Sequence, residues 1–137
     1  HLYEEETAVA SETEAEEIDS INYDIDTFLS NKNSEVIEIY NLIFNSVKSK
    51  LPEVYQEATP NYIALRNEFG RNICEFHLYK SRVLVQTRVP IDSNLQIGEK
   101  VPDNYLWALN YRINVYKIDE VSRVVEALID VYNQLKK

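Results

Sequence analysis

Between Asn61 and Val89 the apolar positions recur every second residue. Ile63, Leu65 and Phe69 alternate with Tyr62, Arg66 and Glu68; Cys74, Phe76 and Leu78 with Glu75, His77 and Tyr79; Val83, Val85 and Thr87 with Leu84, Gln86 and Arg88. A period of two belongs to a half-buried strand, because successive side chains leave a pleated backbone on opposite faces. Gly70 and the short polar strings between these runs mark tight turns, so a three-stranded meander is expected. The alternation returns in "YRINVYKI", where Ile113 and Val115 oppose Arg112, Asn114 and Tyr116.

On either side of these strands the period lengthens to that of a helix. In "SEVIEIYNLIFNSVKSKL" the residues Val36, Tyr40, Ile43, Val47 and Leu51 form one stripe, Ser34 is the expected N-cap, Lys48 and Lys50 suit the negative end of the dipole, and Pro52 stops the helix. "DEVSRVVEALIDVYNQLKK" repeats the pattern, with Asp119 as expected N-cap and Val121, Val124, Val125, Leu128, Tyr132 and Leu135 as the stripe. Ile18, Ile21, Ile25, Phe28 and Leu29 suggest a further helical turn. "PEVYQEATP" reads as a connection, and "IDSNLQIGEKVPDN" as a loop long enough to carry function. Amphipathic helices flanking half-buried strands have one economical solution. The expected fold is α+β: a two-layer sandwich whose antiparallel four-stranded sheet carries the N-terminal and C-terminal helices on one face, leaving the other face to solvent or a ligand.

Charge divides the chain. It carries 23 acidic and 14 basic residues for a net charge of −9, but residues 1–20 hold eight acids and no base. Residues 21–137 are therefore close to neutral, with 15 acids and 14 bases. The first twenty residues are expected to be an acidic linker or disordered arm, and residues 21–137 a single α+β domain. A chain without methionine that opens on "HLYEEET" is expected to be a piece of a longer protein. The single cysteine excludes an intramolecular disulfide and offers no zinc cluster. Two glycines leave no room for a phosphate-cradling loop. With no long apolar run and no leader-like segment, a cytoplasmic protein without a membrane span is expected.

The order of elements and several short strings, "YDIDTFL" from Tyr23, "SEVIEIYNLIF", "NYIALR", "GRNICEFHLYKSRVLVQTRV" and "IDEVSRVVEALIDVYNQL", resembles a bacterial domain-of-unknown-function family often labelled predicted transport protein. The resemblance spans roughly residues 23–137. It implies a C-terminal accessory module of larger proteins, some of them nuclease-like, and brings no catalytic signature. Where the family has a His-Trp-Gly-Asn-Gly type string before the last strand, this chain has "NYLWALNYRI", which keeps Trp107 without an adjacent His or Gly.

Candidate chemistry is sparse. A nucleophilic or acid-base site needs a positioned base beside its partner, and His77, on the same face as Glu75 and Tyr79, is the one histidine within the folded part. Neighbours at i and i+2 share a face in any strand, so the simpler reading is a cross-strand contact. Cys74, on the apolar side, reads as a small buried hydrophobe. Trp107 is a candidate cap for a groove or an anchor beneath the loop. No cofactor and no metal are expected. What the pattern does collect is an outer sheet face bearing Tyr62, Arg66, His77, Tyr79, Arg88, Arg112 and Tyr116, together with Gln86. Rings interleaved with guanidinium groups suit a protein interface, and they also suit single-stranded nucleic acid. Residues 61–117 carry eight bases against five acids, a weak footprint for a polyanion. The expectation is a non-enzymatic binding module that docks protein, within its parent chain or between chains, with single-stranded nucleic acid as the alternative.

Overall fold

The structure, a computed structural model, describes residues 24–102 and 108–136. Six strands form one antiparallel sheet: β1 (Tyr55–Ala58), β2 (Ile63–Arg66), β3 (Asn72–Leu78), β4 (Val83–Thr87), β5 (Glu99–Lys100) and β6 (Tyr111–Val115), in spatial order β1-β2-β3-β4-β6-β5. Among the described residues three α-helices accompany it: α1 (Ile25–Leu29), α2 (Ser34–Lys50) and α3 (Val121–Leu135). Register carries the alternation of the sequence across the sheet. Ile63, Phe76, Val85 and Ile113 are mutual partners on one face. Ala64, Glu75, Gln86 and Arg112 are mutual partners on the other.

The first of these faces is the core. Val36, Tyr40, Ile43 and Val47 of α2 and Val121, Val124, Val125, Leu128, Tyr132 and Leu135 of α3 join the inner strand residues in one buried cluster. Burial of an apolar stripe against a sheet is what makes helices of this length stable, since propensity alone leaves them marginal. Local signals set their ends. Asp24 caps α1, its carboxylate accepting from the Thr27 amide at 2.8 Å, and that hydrogen bond holds the carboxyl below its ordinary pKa. Asn33, not Ser34, caps α2, its Oδ1 accepting from the Glu35 amide at 2.8 Å. A 3-10 turn over Ile118–Glu120 leads into α3. Asp119 therefore lies inside that turn, and the carboxylate of Glu120 instead accepts from the amides of Tyr116 and Lys117.

Three further differences from the sequence reading concern strands. The sheet has six strands, not four. "YQEA", placed in a connection, is the edge strand β1, and Glu99–Lys100, placed in the long loop, is β5. Both are short edges, β1 alternating between exposed Tyr55 and Glu57 and less exposed Gln56 and Ala58, and β5 exposed at both residues; they give partners to the backbone groups that β2 and β6 present. Phe69, assigned inward, is 75% exposed, because the turn has already left the strand alternation at Asn67.

The last pairing depends on a glycine. A Cβ at Gly98 would lie 2.0 Å from the Arg112 carbonyl oxygen. Gly98→Ala is therefore expected to push β5 off β6 while the rest of the domain stays folded. The readout is hydrogen exchange at the Val101 amide, which bonds the Asn110 carbonyl at 2.9 Å; unchanged protection there would refute it.

Candidate functional site

The outer face has two ends of different chemistry joined by a buried middle. At its centre Ala64 is fully buried, and Glu75, Gln86 and Leu84 are 5%, 7% and 9% exposed. This differs from a face left wholly open. The Gln86 amide, pointing outward, donates to the Leu109 carbonyl at 2.8 Å, and Leu109 itself is buried. The segment entering β6 thus lies over the middle of the sheet. One carboxylate is enclosed there: Glu75 Oε1 is 3.4 Å from His77 Nε2.

At one end the rings predicted from the alternation meet. The Tyr62 and His77 rings are tilted at 5.4 Å, and His77 and Tyr79 are stacked at 6.5 Å. Arg82 places its guanidinium carbon 4.4 Å from the Tyr79 ring centre, and its Nε donates to Asn114 Oδ1 at 2.8 Å. Each partner comes from strand register: His77 lies beside Leu84, and Leu84 beside Asn114. Tyr116 follows β6 and is 54% exposed. Arg82 was missed by the face assignment because it sits in the β3–β4 turn, outside any alternating run.

At the other end lie the arginines. Arg66, Gly70, Arg71, Asn72, Arg88, Ala108 and Leu109 line an open cavity of about 310 Å³. Arg66 is the last residue of β2 and Arg88 directly follows β4, and Arg71 and Asn72 come from the β2–β3 hairpin turn and the start of β3. The turn is built on Asn67. Its Oδ1 accepts from the Phe69 and Arg71 amides at 2.9 and 3.0 Å, and its backbone carbonyl accepts from Gly70, whose φ of +81° suits glycine. A register shift between Leu65 and Arg66 sets Arg66 opposite Asn72.

Of the seven residues assigned to this face, Tyr62, His77 and Tyr79 gather at the ring end, with Tyr116 beyond Asn114. Arg66 and Arg88 gather at the arginine end. Arg112, exposed on β6 opposite Glu99, belongs to neither group. Trp107 lies outside the described residues. Arg71 and Asn72 were missed, since a turn residue has no face until its hairpin forms. Cys74 is fully buried, and burial raises its thiol pKa well above the ordinary value, which leaves it protonated at neutral pH. Among the described residues no group of three His, Cys, Asp or Glu side chains could hold a metal ion, and no helix is long and apolar enough to cross a membrane.

Comparison with family models, with curated proteins and with solved structures found no match for this chain.

Proposed function

We propose that this domain is a non-enzymatic binding module of a larger bacterial protein, and that it docks a protein partner at the ring end of its outer sheet face. The observation that carries this reading is the row Tyr62, His77, Tyr79 and Arg82, ordered by mutual contacts and continued by the exposed Tyr116. Tyrosine and arginine held in place before binding lose little entropy on contact, which is why such residues concentrate binding energy at interfaces. A protein fits better than a phosphate chain. The rings lie against one another, and the middle of the face encloses the carboxylate of Glu75.

A photo-crosslinking residue placed at Tyr116 of the full chain, in cells that produce it, should yield one protein adduct that the same residue at Glu38, exposed on α2, does not. The adduct, identified by mass and then purified, should bind the wild-type chain at least tenfold more tightly than Tyr79→Ala, since ring anchors cost about 2 kcal/mol or more when truncated. Equal adducts at both positions, or equal affinities, would overturn the assignment. Single-stranded nucleic acid remains a second reading, favoured by the arginines that share the face. It predicts micromolar binding of labelled DNA or RNA strands that weakens with salt and with Arg112→Ala.

A further inference from the structure

The arginine-lined cavity sits at the far end of the sheet from the ring row and has its own unmet hydrogen bonds. Among the described residues, four buried side-chain polar atoms have no hydrogen-bond partner: Arg66 Nε, Asn67 Nδ2, Asn72 Oδ1 and Arg88 Nε. Three of the four belong to residues that line this one cavity, and the fourth is in Asn67, which forms its supporting turn. A buried donor or acceptor without a partner is costly, and native structures hold few of them. The residues that carry three of these atoms gather around one open space, where the guanidinium groups of Arg66, Arg71 and Arg88 are the donors for a ligand that accepts hydrogen bonds.

The three guanidinium groups are not equally committed. Arg66 Nη1 is 3.4 Å from Glu57 Oε1, and Arg71 Nη1 donates to the Leu135 carbonyl at 3.3 Å, so both are tethered from outside the cavity. Arg88 has no hydrogen-bond or ion-pair partner among the described residues. Among the described residues only the carboxylate of Glu57 forms an ion pair with one of these three cations, which leaves two of them without a paired negative charge. A carboxylate ligand would neutralise one of the two. A phosphate monoester, with a charge of about −1.5 to −2 near neutral pH and three acceptor oxygens, matches both the charge and the forked donors of arginine.

The turn amides of Phe69 and Arg71 are already taken by Asn67, so the guanidinium groups must supply the contacts. Asn72 adds an amide whose half-turn exchanges acceptor for donor. A volume of about 310 Å³ exceeds what a bare phosphate fills, and Ala108 and Leu109 give the cavity an apolar wall for the body that carries it.

We propose that this cavity binds a phosphate monoester on a sugar-sized body, clamped by Arg66, Arg71 and Arg88 with Asn72 as the remaining polar contact. Such a group has two sources, a small phosphorylated sugar or nucleotide and the phosphorylated end of a nucleic-acid strand.

The test uses the full chain and four probes: ribose 5-phosphate and adenosine monophosphate by titration calorimetry, and one short oligonucleotide with and without a 5′-phosphate by fluorescence anisotropy. At least one phosphorylated probe should bind with a Kd below about 1 mM. Arg88→Gln, which keeps much of the side-chain stem, should weaken that binding at least tenfold with an unchanged melting temperature, because no hydrogen bond or ion pair of Arg88 with the described residues is lost. Lys50→Gln, exposed at the end of α2 and outside both ends of the face, should leave it unchanged. Tight binding of the small esters identifies a metabolite-like ligand; preference for the 5′-phosphorylated over the 5′-hydroxyl strand identifies a strand end. No binding by any phosphorylated probe, citrate binding as tightly as the best of them, or equal weakening by Lys50→Gln and Arg88→Gln would each overturn the proposal.

Discussion

Phe76→Ala is expected to cost this domain about 3–5 kcal/mol, a large share of the roughly 5–15 kcal/mol that holds a typical domain folded. Phe76 lies at the middle of β3, fully buried, with Ile63 on one side and Val85 on the other in the same inner row. Its ring meets Tyr40 of α2 edge-to-face, centroids 5.0 Å apart and planes at 79°. The substitution thus empties a ring-sized space where sheet and helix layer meet and removes the aromatic pair as well. The rigid neighbours on a central strand cannot collapse into that space, which puts the cost at the upper end of the range for large-to-small changes. Urea unfolding of the variant beside Phe76→Leu, which keeps most of the volume, is the check. If the two midpoints agree, the contact between layers does not rest on this ring.

The second large effect is expected at Asn67. Asn67→Ala should cost about 2 kcal/mol, because two part-buried hydrogen bonds, from the amides of Phe69 and Arg71, are lost together at about 0.5–1.5 kcal/mol each. For a domain of this size that is a fall of roughly 5–10 °C in Tm. Asn67→Asp keeps an acceptor in the same place and should recover most of the loss, whereas Asn67→Ser, with a shorter side chain, should not. A thermal melt that ranks alanine and aspartate alike would show that the residue matters for its burial and not for its acceptor. The same turn sets Arg66, Arg71 and Asn72 around the cavity, so Asn67→Ala should also weaken phosphate-ester binding. A stability loss without a binding loss would separate the turn from the site.

Particular residues show how far local pattern reaches. The alternation through β2, β3, β4 and β6 assigned Ile63, Leu65, Cys74, Phe76, Val83, Val85, Ile113 and Val115 to one face, and all of them are buried in the core cluster. The six stripe residues of α3 are buried there too. Phe69 fails the same rule, because a period of two holds only while the backbone stays extended, and Asn67 bends it two residues earlier. The rings of Tyr62, His77 and Tyr79 were legible as a group, since strand period alone puts them on one side. Their stacking order, and the cap of Arg82 on Tyr79, needed the β3–β4 hairpin.

The sequence by itself determined the α+β class, the helix stripes and the two faces of the central strands, since each follows from a local period and from the free energy of taking apolar side chains out of water. Only the tertiary structure decided the rest. The edge strands β1 and β5 exist through backbone groups offered by their neighbours. The middle of the outer face is covered by a segment that returns from the far side of the long loop. Arg66, Arg71 and Arg88 surround one cavity through a hairpin turn and a register shift. Pairing across strands is a long-range choice, settled by the whole sheet against its helices, and no short window of sequence carries it.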